Sequence, residues 1–251
     1  MSLVGLNTKV VKNGDAEPAL AAGKFRIYSM RFCPWAQRSL IYAAAKKIPT
    51  EIVNIDLKNK PDWYFTKHFK GQVPALEHDG KHVIESAVIP EYLDDIFPES
   101  RILPSDPYQK VQQKLLLARI SEVVAPAFYG VAQSVDNPSV KEEKVQNLLK
   151  ALESAEQLLT GEYFSGTSKP GYVDYLIYPN LQRVYWLSNV LSDLPLDAAA
   201  FPGAAKFPKL TSWFARVAVL PEVVEASQPL ENGVGFFKDY LHGKPNYDFK
   251  L

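Results

Sequence analysis

The chain has 251 residues, and its 28 lysines and arginines balance 28 aspartates and glutamates. That length suits one large domain or two of ordinary size, and the balance leaves no net field to recruit nucleic acid or an anionic membrane. One cysteine excludes a disulfide framework. The opening Met1-Ser2-Leu3-Val4-Gly5-Leu6-Asn7 lacks the basic start and apolar core of a secretory signal. No stretch is read as reaching the apolar length of a membrane span. The only Asn-x-Ser/Thr match, Asn137-Pro138-Ser139, carries the forbidden proline. Together these features point to the cytoplasm.

Residues 1–23 are polar, small and proline-bearing, and read as an extended surface arm. Phe25–Met30 alternates roughly as a strand does. It runs into Met30-Arg31-Phe32-Cys33-Pro34-Trp35-Ala36-Gln37-Arg38, followed by Ser39–Lys47, which is rich in helix formers. Pro34 suits the first helical position, where its missing N–H costs nothing and its φ is already helical. Cys33 then falls at the N-cap, where unpaired N–H groups and the positive end of the helix dipole favour a thiolate. Thr50–Leu57 is a second strand, parallel to the first through a right-handed helical crossover. Lys58–Pro61 is a loop, and Asp62–Lys67 a helical turn with locally packed aromatics. A third strand begins at Pro74 within Gly71–Glu77, and Asp79-Gly80 signals a tight hairpin into His82–Glu85. Ser86 reads as the N-cap of a helix over Ala87–Ile96. The order is βαβαββα.

A thiol that only filled space would need neither a helix N-terminus nor the flanking Arg31 and Arg38. Cys33 is therefore read as a nucleophile. With no second cysteine to resolve a mixed disulfide, the resolving thiol must come from outside, and the plentiful small cytosolic thiol is glutathione. Hydrolysis by a Cys–His pair lacks any accompanying oxyanion motif. His68, His78, His82 and His242 are scattered without ligand spacing, so no metal site is expected.

Phe97–Pro107 is a proline-bearing linker, placing the boundaries at residues 1–97, 98–106 and 107–251. Asp106-Pro107 reads as N-cap and first residue of a long helix, with Val111, Leu115 and Ala118 at helical spacing and Pro126 kinking or ending it. Val140–Leu159 is a second helix, closed by Gly161. Tyr172–Val190 is a third, with Val173, Ile177, Leu181 and Val184 on one stripe and a kink expected at Pro179. Phe207–Val219, Pro221–Ser227 and Gly235–Leu241 are shorter. No strand pattern follows residue 105, so the second domain reads as all-α.

The βαβαββα order, Cys33-Pro34 at the first helix, Val73-Pro74 at the third strand and Glu85-Ser86 before the last helix resemble the thioredoxin-like α/β domain of the cytosolic glutathione transferases. The cysteine in place of tyrosine or serine, the N-terminal arm, Arg31–Arg38, Leu57-Lys58-Asn59-Lys60-Pro61 and Glu91-Tyr92-Leu93-Asp94 resemble the omega class, over nearly the whole chain. One departure is Gly171-Tyr172-Val173-Asp174, where the family has Ser/Thr-x-x-Asp; glycine is an acceptable N-cap, and Asp174 can still reach its N–H.

The resemblance implies a glutathione-dependent thiol transferase that reduces dehydroascorbate and removes glutathione from mixed disulfides, with Cys33 catalytic. The γ-glutamyl carboxylate would meet Ser86 and the helix it precedes, with its amine on Glu85. The backbone of Val73, held by a cis peptide to Pro74, would pair with the cysteinyl residue, and Lys60 would meet the glycine carboxylate. A co-substrate pocket between the domains would be walled by Trp35, Tyr129, Tyr178 and Arg183. A homodimer resting on the first two long helices is implied as well. The alternative is a non-catalytic ligand-binding relative like the chloride intracellular channel proteins, although no acidic loop insertion or inserting helix is read here.

Overall fold

The computed structural model describes residues 2–251 and divides into two compact units. The first holds the residues up to Arg101 together with Pro221–Asn232 and Asn246–Leu251, and the second holds Ile102–Leu220 and Gly233–Pro245. The first unit is therefore discontinuous in sequence, where the reading above takes residues 1–97 as one piece.

The first unit is built on a five-stranded sheet. Its strands are β1 (Leu3–Val4), β2 (Phe25–Ser29), β3 (Thr50–Asn54), β4 (Ala75–His78) and β5 (Lys81–Ile84), in the spatial order β1-β3-β2-β4-β5. β1 and β2 run parallel to β3, while β4 pairs antiparallel with β2 and β5 antiparallel with β4. The arm is thus not merely a surface extension, because Leu3 and Val4 pair with Thr50 and Glu51 at the sheet edge. A two-residue strand has too few positions to show alternation in the sequence. Asp79 and Gly80 both take positive φ, 47° and 71°, as a two-residue hairpin turn requires.

Helix α1 (Pro34–Ala45) crosses between β2 and β3, and α2 (Val88–Ile96) follows β5. Ile27, Ile41, Ile52, Ile89 and Leu93 lie in the core, where burial supplies the main driving force. Beneath it, Lys46 bonds Asp94 at 2.8 Å and the carbonyls of Phe97 and Ser100, while Tyr42 donates to Asp94 at 2.7 Å. The buried ion pair thus has its hydrogen-bond partners. Helix α7 (Pro221–Glu225) packs on α1, and Gln37 Nε2 donates to Ser227 Oγ at 2.9 Å. The Glu225 carboxylate accepts from the N–H groups of Ser2 and Leu3.

The second unit is helical: α3 (Pro107–Gln133), α4 (Pro138–Leu158), α5 (Tyr172–Val190) and α6 (Pro208–Ala218), with most of α8 (Leu230–Leu241). Asp106 caps α3 by accepting from Gln109 N at 2.9 Å. α3 runs on through Pro126 instead of ending there. Its buried face is Leu117, Ile120, Val124, Phe128 and Val131, whereas Val111 and Leu115, which marked the helix in the sequence, are exposed. By length and composition α3 could cross a membrane, contrary to the expectation above. One such helix is weak evidence for a span, and Leu117, Ile120, Val124, Phe128 and Val131 are buried within this unit.

The Gly171–Asp174 departure is accommodated. Asp174 accepts from Gly171 N at 2.9 Å and also from Phe164 N, Ser165 N and Trp213 Nε1. Four donors on one carboxylate explain how a buried acid is tolerated there. α5 is buried almost all round, including Val173, Ile177, Leu181 and Val184.

Candidate functional site

Cys33 lies between β2 and α1 with extended backbone angles, φ −77° and ψ 120°, and Pro34 follows as the first helical residue. A turn closed by Cys33 N donating to Met30 O at 2.8 Å delivers it to the helix start. Its Sγ accepts from Ala36 N at 3.5 Å, so the sulfur itself caps the helix. The residue is 7% exposed. A sulfur held against unpaired helix N–H groups is placed where negative charge is favoured. Tyr64 faces it from the 3₁₀ helix Asp62–Thr66 and donates to Gln72 O at 2.6 Å. Burial, with the charges of Tyr28 and Cys33 adding, pushes the Tyr64 phenol far above its ordinary range, so it stays neutral.

The first unit also carries the other residues that the sequence singles out there. Val73 is buried and joined to Pro74 by a cis peptide, immediately before β4. Glu85 is exposed and adopts φ 74°, an unusual conformation for a residue with a side chain. Its carbonyl accepts from Val88 N and Ile89 N, each at 3.0 Å. Ser86 does not cap α2. The helix begins at Val88 after Ala87, without a side-chain cap, and the Ser86 hydroxyl accepts from Arg38 Nη1 at 3.4 Å. The Arg38 guanidinium lies over the half-buried Trp35 ring, 4.3 Å from its centroid.

His68, which sequence reading set aside, follows the 3₁₀ helix Asp62–Thr66. His68 is buried, with Nδ1 accepting from Lys70 N at 3.2 Å. Burial holds its imidazole below the ordinary range, Glu85 opposes that shift, and Lys70 and Lys60 reinforce it. Gly71, at φ 59°, completes the bend, since a Cβ there would come within 2.8 Å of Phe65 Cε1 and 3.0 Å of Lys60 Cδ. No spacing rule marks His68, because its burial arises from a loop folding back.

In the second unit, Tyr129 is half-buried and lines a cavity of about 680 Å³ with Pro126, Gln133, Lys144 and Lys150. Tyr178 and Arg183 lie elsewhere, both buried. Tyr178 stacks on Phe214 and accepts from Gln182 Nε2 at 3.2 Å. Arg183 donates to Gln182 Oε1 at 2.8 Å and lies 4.2 Å over the Trp186 ring. Among the described residues, no three of His, Cys, Asp or Glu converge as a metal would need.

Comparison with known proteins bears on what this geometry serves. The family model for the glutathione S-transferase N-terminal domain matches residues 23–95, and that for the C-terminal domain residues 117–221. A Caenorhabditis briggsae protein described as a probable glutathione transferase omega-2 is 64% identical over 252 residues, covering 99% of each chain. The chain belongs to the omega class of glutathione transferases. A Caenorhabditis elegans glutathione transferase omega-1 is 45% identical over the full length of both chains. The crystal structure of glutathione transferase Omega 1C from Trametes versicolor superposes with a TM-score of 0.75 at 26% identity, covering 88% of this chain and 97% of that one. The omega-class chain is thus an enzyme with glutathione as its co-substrate, carried on a thioredoxin-like unit followed by a helical one.

Proposed function

We propose that this omega-class enzyme is a thiol transferase whose nucleophile is Cys33. The carrying observation is the sulfur at the N-cap of α1, accepting from Ala36 N. The Cys33 thiolate attacks the glutathione sulfur of a mixed disulfide, forming an enzyme–glutathione disulfide and releasing the other thiol. A second glutathione attacks that disulfide, freeing Cys33 and leaving as glutathione disulfide. Dehydroascorbate reduction follows the same balance: two glutathiones supply two electrons and two protons, yielding ascorbate and glutathione disulfide. Cys33 being the only cysteine supports the reading, because no internal thiol can replace the second glutathione.

Glutathione is held, on this reading, by Glu85 on its amine and by Ser86 on the γ-glutamyl carboxylate. The backbone of Val73, ahead of Pro74, meets the cysteinyl residue and Lys60 the glycine carboxylate. Trp35 keeps accessible ring surface for the co-substrate; Tyr129 opens onto the cavity within the second unit, while Tyr178 and Arg183 brace α5 from within. The exposed Tyr108, Val111 and Leu115 on α3 support a homodimer that covers them; light scattering at micromolar concentration should report twice the chain mass, and a monomer would refute it. A protein relying on one free thiol suits the reducing cytoplasm.

The deciding experiment is intact mass. Oxidised glutathione should add one glutathione to the parent chain, and excess reduced glutathione should remove it. No adduct would overturn the mechanism.

A further inference from the structure

The side chain of Arg31 is directed at four partners distant in sequence. It sits at the first corner of the turn whose closing bond is Cys33 N to Met30 O, and it is 5% exposed. Its Nη1 donates to Phe249 O at 2.9 Å and Tyr247 O at 3.4 Å. Its Nη2 donates to Gln228 Oε1 at 3.2 Å and Asn7 Oδ1 at 3.4 Å. The acceptors are themselves tied: Gln228 Nε2 donates to Asn7 Oδ1 at 2.8 Å, and Asp248 accepts from Val10 N at 2.9 Å. Burial pushes the guanidinium down, while Asp248 pulls it up; it remains a cation in either case. All these residues belong to the first unit.

A fork of terminal donors held by three separate segments fixes orientation better than any single bond does, while the buried Nε has no hydrogen-bond partner. Two residues beyond the fork is the sulfur, whose capping of α1 depends on where this turn places it. We propose that Arg31 is a positioning residue for Cys33, and that the segment Asn246–Leu251 is the anchor holding Arg31 in place. The thiol's reactivity is thereby coupled to a segment more than two hundred positions away. The inference rests on Cys33 being the nucleophile.

The experiment compares Arg31→Met, Arg31→Lys, a chain ending at Pro245, and each Arg31 variant in that shortened chain. The rate of Cys33 alkylation by iodoacetamide is read by intact mass at pH 7 and again at pH 10, and each variant's melting curve is recorded. The pH 7 to pH 10 ratio removes differences in access and reports how well the thiolate is supported; the facing Tyr64 stays neutral at both values. Arg31→Met should lower the ratio about tenfold, the scale of one charge-assisted contact. Shortening should do the same, and the combination should be no worse than either alone. Arg31→Lys should recover part of the ratio in the full chain and none in the shortened one. Should Arg31→Met not melt cooperatively, Gln228→Leu removes a single acceptor and should lower the ratio about threefold. Cooperatively melting variants with the parental ratio would overturn the positioning role, as would effects that multiply. A parent thiol that does not alkylate at either pH would instead sink the proposed function itself.

Discussion

The two α-helices in the first unit that follow strands of its sheet begin in opposite ways. α1 starts conventionally: an extended N-cap residue, a side-chain acceptor for the N–H of the third helical residue, and a proline first in the helix. The one unusual feature is that the capping atom is sulfur. α2 starts without any side-chain cap, from Ala87 with helical angles. Its first N–H groups are met by the carbonyl of Glu85, a residue bent into the left-handed region. At α1 local stability and proposed chemistry use the same atom. At α2 the cap is replaced by a strained Glu85 backbone, and stability is given up. Strain of this kind is tolerated where surrounding structure enforces it, and it concentrates at binding sites.

Substitution at Cys33 tests the first half of that contrast and should give the largest effect. Cys33→Ser puts a better capping oxygen where sulfur caps, so stability should hold or rise by a few tenths of a kcal/mol. Thiol transfer should fall about a thousandfold or more, as for loss of other nucleophiles. Turnover in the serine variant within tenfold of the parent would separate the cap from the chemistry.

Glu85→Gly tests the second half. Glycine enters the left-handed region freely, and after allowing for its greater freedom in the unfolded chain the protein should gain about 0.5 kcal/mol. Glutathione should bind more weakly by about 1.5–3 kcal/mol, roughly 10–150-fold in Kd. Calorimetry for binding and thermal melts for stability should therefore move in opposite directions. Unchanged affinity would remove Glu85 from the site.

The difference between the helix starts also separates what sequence reading reaches from what it does not. Strand, turn, cysteine, proline and helix formers lie consecutively, so the α1 start and its sulfur are readable locally. The Asp79-Gly80 hairpin and the Asp106-Pro107 start of α3 are readable for the same reason. At α2 the local signal misleads, because serine before a helix is usually its cap, and nothing in a glutamate announces positive φ. The sheet gains β1 from two residues that carry no period. On α3, apolar residues lie on more than one face, so Val111 and Leu115 mark a helix without marking its core side. His68 and the fork at Arg31 depend on segments that meet only after folding, and no spacing records them.

The smallest effect is expected at Ser86, where two accounts of α2 give different numbers. If the hydroxyl capped the helix, Ser86→Ala would cost about 1 kcal/mol of stability. The hydroxyl instead accepts one long bond from Arg38, at 3.4 Å, and the helix N–H groups at Val88 and Ile89 go to Glu85 O. A single contact of that length is a weak hydrogen bond, so its removal should cost less than about 0.5 kcal/mol. Binding should be affected more than stability, because on the proposed arrangement the hydroxyl donates to the γ-glutamyl carboxylate. Losing one such bond is worth about 0.5–1.5 kcal/mol, roughly 2–10-fold in Kd. Thermal melting and glutathione titration of the same variant decide between the accounts. A melting loss that exceeds the binding loss would restore Ser86 as the cap and make the two helix starts alike.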